Sequence, residues 1–258
     1  MSVRRRIDEN VNNSKNTRLP IAEELSTGRF EKDCLCHISR YLYVVDCIVD
    51  ISKQLTRPVS IIDIGCGDAF IALSLNRTVM VKGDTLVSRY CGIDIEIQLI
   101  DKVKLPRAFP SEIVITDVTT GGLDQFPDKS FDIGICLEMI EHIQPQYVLP
   151  LLKEMRRISS TAFISTPNRV DSRPLPVDHI KEWRYEELNG LIAEAGFTIE
   201  QEIGIKADLN IVKKIAKKDA RLMAQYQFFS SKVDKTFLSL IMGRCMGNKA
   251  TNILRICS

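Results

Sequence analysis

The chain has 258 residues, enough for one large packed domain or two small ones. Hydrophobic residues make up 45% and charged residues 26%, the composition of a globular protein, and 35 basic against 33 acidic side chains leave a net charge of +2, which excludes a wholly polybasic chain. No run of about 18 apolar residues predicts a membrane span, Arg4, Arg5 and Arg6 have no apolar stretch behind them to make a secretory leader, and eight scattered cysteines without a CxxC pair read as reduced thiols of a cytoplasmic protein.

Residues 1–28 are polar, rich in Asn, Ser, Arg and Lys, and read as a flexible N-terminal arm; residues 29–258 read as the folded domain. From Phe30 to Leu55, Ile38, Leu42, Val45, Ile48 and Val49 recur at helical spacing. Val59–Ile64 is a β-branched apolar run closed by Gly65-Cys66-Gly67-Asp68, a buried strand feeding a tight turn, and Ala69–Leu75 reads as the helix that follows, with Asp68 near its N-terminus. Further strands are expected at Tyr90–Ile95, Ile113–Thr116, Phe131–Leu137, Ala162–Ser165, Phe197–Ile203 and Asn252–Cys257, with helices over Glu96–Lys104, Ile140–Ile158 and Tyr185–Ala195. This alternation predicts a Rossmann-like α/β fold: a seven-stranded, mostly parallel sheet with helices on both faces.

The connection between the last two strands, 205–250, is long. It carries ten basic residues and three acidic ones, a net +7, which leaves −5 for the rest of the chain. It reads as a basic helical insertion or lid, helical around Leu209–Phe229 and Val233–Met246.

Gly65 and Gly67 lie between a strand and a helix, where the lack of a Cβ lets backbone approach a ligand. Phe70 occupies the position of the third glycine of a pyrophosphate fingerprint, so the turn suits a ligand without a pyrophosphate. Asp94 ends the second strand, where a carboxylate can accept both hydroxyls of a ribose, and Asp117 ends the third, where it can accept an adenine amino hydrogen. All three marks fall at the carboxyl ends of strands, the ligand edge of an open α/β sheet.

The segments IIDIGCGDAF (61–70), CGIDIE (91–96), ITDV (115–118), FPDKSFDIGICLEMIEHI (126–143), STPN (165–168) and DHIKEWRYEELNGLIAEAGF (178–197) occur in the order found in the class I S-adenosylmethionine-dependent methyltransferases, and the chain resembles that family across roughly residues 37–203. The resemblance implies S-adenosylmethionine as cofactor. Asp63, Gly65, Cys66 and Gly67 would lie at its methionine part, Asp94 and Ile95 at the ribose, Asp117 and Val118 at the adenine, and Leu137 on the methyl side beside Glu138. Two features depart from the family pattern: Arg157–Thr161 stands where a Lys-Pro-Gly-Gly-type turn is usual, and 76–90 is a longer link than usual.

Glu138, Glu141 and His142 stand at i, i+3 and i+4, one face of a helix, and Asp178-His179 lies in the later loop. Carboxylate and imidazole at such spacing suit a divalent metal. The pattern resembles two groups, the small-RNA 3′-terminal ribose 2′-O-methyltransferases and the ubiquinone-pathway O-methyltransferases. The first resemblance implies Glu138, Glu141, His142 and His179 as ligands of Mg or Mn, with His142, His179 and Glu138 as catalytic candidates. The same acids also suit a helix start, and His142 suits packing, without any ligand. Amino-methylating enzymes of adenine or cytosine are disfavoured, because Leu137-Glu138 replaces their Asn/Asp-Pro-Pro-aromatic signature; Cys66 and Cys136 lack the Pro-Cys context of a cytosine-C5 nucleophile.

The leading expectation is methyl transfer to a hydroxyl oxygen of a small metabolite, sugar or glycan. The alternatives are metal-assisted ribose 2′-O-methylation of a nucleic acid, drawn by Lys213, Lys214, Lys217, Lys218 and Arg221 with Tyr226, Phe228 and Phe229, and a non-catalytic cofactor-binding regulator.

Overall fold

A computed structural model describes residues 34–83, 85–95, 105–169 and 174–258. The expected N-terminal arm and the expected helix at 96–104 lie outside these. Helix α1 (Cys34–Leu55) precedes β1 (Val59–Ile64), α2 (Phe70–Lys82), β2 (Val87–Asp94), β3 (Ser111–Ile115), β4 (Phe131–Leu137), α3 (Pro145–Ile158), β5 (Ser159–Pro167), α4 (Tyr185–Glu194), β6 (Ile199–Lys206), α5 (Leu209–Ala216), α6 (Ala220–Ser230), α7 (Lys235–Met246) and β7 (Asn252–Cys257).

The seven strands form one sheet in the order β3-β2-β1-β4-β5-β7-β6. All neighbours are parallel except β7, which runs antiparallel to both β5 and β6. The strand order reverses between β1 and β4, which opens a crevice above their carboxyl ends. The period-two alternation of β1 splits its side chains: Ile62 and Ile64 pack with α3 and α4 on one face, Val59 and Ile61 with α1 and α2 on the other. Each such isoleucine is fully buried, and truncation to alanine costs about 2–5 kcal/mol.

Several boundaries differ from the sequence expectation for local reasons. Helix α2 continues to Lys82 and ends on left-handed Gly83, which takes up much of the long 76–90 link. Its N-cap is Ala69, not Asp68, and no side chain caps it. The expected helix over Ile140–Ile158 is broken. A 3-10 turn spans Ile140–His142, and α3 begins at Pro145, whose ring disfavours helical backbone at Gln144 (φ −62°, ψ 136°). Helix α3 runs directly into β5, with Ser159 ending one and starting the other, so no loop stands where the family has its glycine turn. In α1 the expected Val45, Ile48 and Val49 are buried, joined by Cys36, Arg40 and Val44, whereas Ile38 is only partly buried and Leu42 is 49% exposed.

The insertion forms three helices rather than two. Asp208 caps α5, accepting from Asn210 N at 2.7 Å, and Asp219 caps α6, accepting from Leu222 N at 3.0 Å, which splits the expected 209–229 helix. Val212, Ala216, Leu222, Leu238, Met242 and Met246 give these helices their own core. Helix α7 lies directly on β6, because a Cβ on Gly243 would come within 2.6 Å of Lys206 N. No described helix is long and apolar enough to cross a membrane.

Candidate active site

The turn after β1 is built on positive backbone angles, φ 74° at Gly65 and 53° at Gly67. Gly65 N and Cys66 N both donate to Ile93 O, and Gly67 N donates to Asp94 Oδ2 at 2.8 Å, so β2 holds the turn against β1. A Cβ on Gly65 would meet Met139 Cγ at 2.6 Å, which packs this turn against the one after β4. A Cβ on Gly67 would meet nothing within 4 Å, so the turn faces open space there. Tyr41, Asp63, Gly65, Cys66, Phe70 and Leu137 line the cleft beside it.

Asp63 is buried, and Tyr90 donates to its Oδ2 at 2.7 Å. Burial pushes its carboxyl up to about 7, against the opposing effect of the Tyr90 hydroxyl. Ile95 is half-buried just past β2. Asp117 caps the 3-10 turn that Val118 begins and accepts from Thr119 N at 2.9 Å and Thr119 Oγ1 at 2.6 Å through one oxygen, Oδ1.

Glu138, the first residue past β4, has φ 54°, an uncommon conformation for a glutamate. Its Oε1 lies 3.0 Å from Arg40 Nη1 and accepts from Ser165 Oγ at 3.1 Å, and its Oε2 accepts from Asn252 Nδ2 at 2.9 Å. One carboxylate thus ties together α1, β4, β5 and β7. Arg40 is fully buried, its Nη2 lies 2.6 Å from His37 Nδ1, and its Nε has no hydrogen-bond partner.

The 3-10 turn brings Glu141, His142 and His179 together, each with a ligand atom within 4.8 Å of the others. Glu141 is buried and accepts from Thr166 Oγ1 at 3.0 Å; its backbone oxygen accepts from Ile180 N and Lys181 N, which seats the His179 loop. Burial, then the charge of Glu138, raises the Glu141 carboxyl well above the usual carboxylate range. The two imidazoles meet edge to face, 4.9 Å between centroids. His142 Nδ1 lies 2.9 Å from Asp178 O, and a carbonyl only accepts, so Nδ1 carries a hydrogen and, in the neutral ring, Nε2 bears the lone pair. His179 Nδ1 lies 3.1 Å from Glu182 Oε1, which assigns the same tautomer. Burial, then repulsion by His142, lowers the His179 pKa and favours its neutral form.

Of the four residues expected as metal ligands, the structure therefore groups three. Glu138 stands outside that group, engaged by Arg40. Sequence reading missed Arg40, Thr166, Glu182 and Asn252. Thr166 and Glu182 lie inside quoted motifs, STPN and IKEW, whereas Arg40 and Asn252 carry no local signal. The lysines Lys213, Lys214, Lys217 and Lys218 are exposed, as is Phe228, while Tyr226 and Phe229 pack on the insertion's own core.

Residues 62–161 match the methyltransferase domain family. A 98-residue segment is 32% identical to a protein of Mycolicibacterium smegmatis named a probable S-adenosylmethionine-dependent methyltransferase, covering 34% of this chain and 38% of that protein. The chain thus spans well under two thirds of the length of the curated relative it matches. The fold is similar to a solved S-adenosylmethionine-dependent methyltransferase of Archaeoglobus fulgidus, with a TM-score of 0.51 at 16% identity over 84% of this chain and 93% of that one. It is also similar to the [4+2]-cyclase SpnF, with a TM-score of 0.52 at 14% identity over 83% and 79%. At these identities the likeness is one of fold, and a cyclase among the neighbours leaves the reaction to be argued from the site. Residues 62–161 thus match a methyltransferase domain, and the sheet that contains them has the fold of solved S-adenosylmethionine-dependent methyltransferases.

Proposed function

We propose that the protein transfers the methyl group of S-adenosylmethionine to a hydroxyl oxygen of a small metabolite or sugar, with a divalent cation held by Glu141, His142 and His179 beside the acceptor. The observation that carries this reading is the pair of imidazoles anchored through Nδ1, to Asp178 O and to Glu182 Oε1, with the Glu141 carboxyl beside them. Such outer hydrogen bonds fix the ring orientation that metal-ligating histidines need.

Two features of this chain support the donor site. The open face of Gly67 leaves room for a ligand to approach the backbone, and the Asp94 and Asp117 carboxylates stand at the ends of β2 and β3 as acceptors for ribose and adenine. When bound, S-adenosylmethionine supplies an electrophilic methyl group on its sulfonium, so the chain's work is chiefly orientation. Asp63, Cys66, Leu137 and the Tyr41–Phe70 pair wall the cleft. Two nitrogens and one carboxylate oxygen suit Mn or another first-row divalent ion better than Mg, which prefers oxygen ligands, and a cation held there would make the acceptor hydroxyl more acidic. With the cation bound, both Nε2 lone pairs would be spent on it and the acidified hydroxyl would lose its proton to water; without the cation, Nε2 of His142 or His179 would be the chain's own acceptor for that proton. Glu138, paired to Arg40, is in this reading a positioning residue that fixes the start of the 3-10 turn.

A second reading, metal-assisted ribose 2′-O-methylation of RNA, draws on the exposed lysines of α5 and the turn after it, with Phe228, 55% exposed, as a stacking surface. The test is labelled methyl transfer to a panel of sugars, phenols and RNA oligonucleotides ending in a 2′,3′-diol or a 3′-phosphate, with and without EDTA. The proposal expects label on a hydroxyl acceptor, loss with EDTA and recovery with excess Mn. Label on an amine, or activity that survives both EDTA and Glu141→Ala, contradicts it; donor binding without turnover on any acceptor favours the regulator.

A further inference from the structure

A cavity of about 510 Å³ lies within the insertion, lined by residues of α5, α6, α7 and the turns around them. Its size falls within the roughly 300–1,000 Å³ of small-molecule sites. None of its lining residues belongs to the turns after β1 or β4, so it is separate from the methyl-donor crevice. Its surface divides by chemistry. Ile215, Leu222 and Met246 form an apolar part, and Arg221, Arg244 and Lys249 a cationic one.

Among the described residues, no carboxylate forms an ion pair with any of these three cations. The one acid on the wall, Asp219, is occupied as the N-cap of α6. Arg244 is held in place by its guanidinium over the Tyr43 ring, 4.5 Å from the centroid. Gln225 and Asn248 add amide donors. Three like charges around one concavity repel each other and raise the positive potential within it, so an anion entering there relieves repulsion as well as making contacts. The apolar part favours a ligand that carries hydrocarbon as well as charge.

We propose that this cavity is a second ligand site, independent of the methyl donor, that binds a small organic phosphate with its anionic group against Arg221, Arg244 and Lys249 and its apolar part over Ile215, Leu222 and Met246. The cavity also adjoins the edge that carries the candidate active site. Asn248 O accepts from Asn168 Nδ2 at 3.0 Å, and Asn168 directly follows β5, whose Ser165 and Thr166 hold Glu138 and Glu141.

The test is calorimetric titration of the full chain with hexyl phosphate, inorganic phosphate and hexanol. Hexyl phosphate should bind saturably with one site, about tenfold tighter than inorganic phosphate, and hexanol should give no saturable binding. Arg221→Gln and Lys249→Gln, both at exposed positions, should each weaken hexyl phosphate about fivefold or more, while Lys217→Gln and Lys218→Gln, outside the cavity, should leave it unchanged. No saturable binding to the wild-type chain overturns the proposal. So does equal weakening by all four substitutions, which assigns the binding to diffuse charge, or no weakening by the first two. Parallel titration with S-adenosylhomocysteine reads the donor crevice separately, so failure at one site is distinguishable from failure at the other.

Discussion

The guanidinium of Arg40 in α1 and the carboxylate of Glu138 after β4 meet at 3.0 Å, with the arginine side chain fully buried and the glutamate side chain 11% exposed. The pair joins α1 to the edge of the sheet that carries the candidate site. Removing one partner leaves a buried charge uncompensated, so Arg40→Ala should cost about 3–5 kcal/mol in urea denaturation. The double variant Arg40→Met, Glu138→Gln should be less destabilised than the sum of the single changes by about 1 kcal/mol or more. Additive losses would mean that the two side chains do not act as a pair.

The histidine–glutamate cluster predicts a saturable cation site. Titration with Mn should give one site on the wild-type chain, and His142→Ala, His179→Ala and Glu141→Ala should each weaken it by at least about tenfold. Glu182→Gln, which weakens the anchor of His179 Nδ1 without touching a ligand atom, should weaken it by a smaller factor. Equal affinity in all these variants would remove the cation from the account.

At the proposed donor crevice, Asp94 clamps the glycine turn and is the proposed ribose acceptor. Asp94→Ala should weaken S-adenosylhomocysteine by about tenfold or more. Gly67→Ala forces a Cβ onto φ 53° and should cost about 1–2 kcal/mol of stability in addition to weakening the ligand. Unaltered affinity in Asp94→Ala would place the donor elsewhere.

Asp63 predicts a pH dependence of stability with a defined sign. Its folded-state pKa, pushed up to about 7, lies above the 3.8 of an unperturbed aspartate, so the folded chain holds this proton more tightly than the unfolded chain. Its contribution is fully present below about pH 4 and is lost as pH rises through about 7. The cost amounts to roughly 4 kcal/mol of the ligand-free chain's stability at pH 8. Asp63→Asn should flatten the fall between about pH 4 and 7 in denaturation of the ligand-free protein; a curve parallel to wild type would show that Asp63 is ionised throughout.

The strands, the glycine turn and the carboxylates at the ends of β2 and β3 were legible because each is written locally: a β-branched run, a GxG, an acid at a strand end. The break after His142 was written there too, in Pro145, but the spacing of Glu138, Glu141 and His142 read as helical and masked it. Glu141 and His142 still meet His179 across the 3-10 turn, while Glu138 is drawn away to Arg40. Arg40 was illegible. It occupies a core-facing position of α1, and nothing in the helix reveals that its partner is a carboxylate brought in by β4. Asn252 was hidden for the same reason, since it reaches Glu138 only through the pairing of β7 with β5. The insertion's three-helix packing depends on the contact of Gly243 with β6, which no local pattern announces.

The most direct measurement is incubation of the purified chain with methyl-labelled S-adenosylmethionine and a cell extract, followed by separation of small-molecule, nucleic-acid and protein fractions. The account predicts protein-dependent label in the small-molecule fraction, as a methyl ether, abolished by Glu141→Ala and by EDTA. Label confined to protein, or no label in any fraction from a chain that binds the donor, would contradict it.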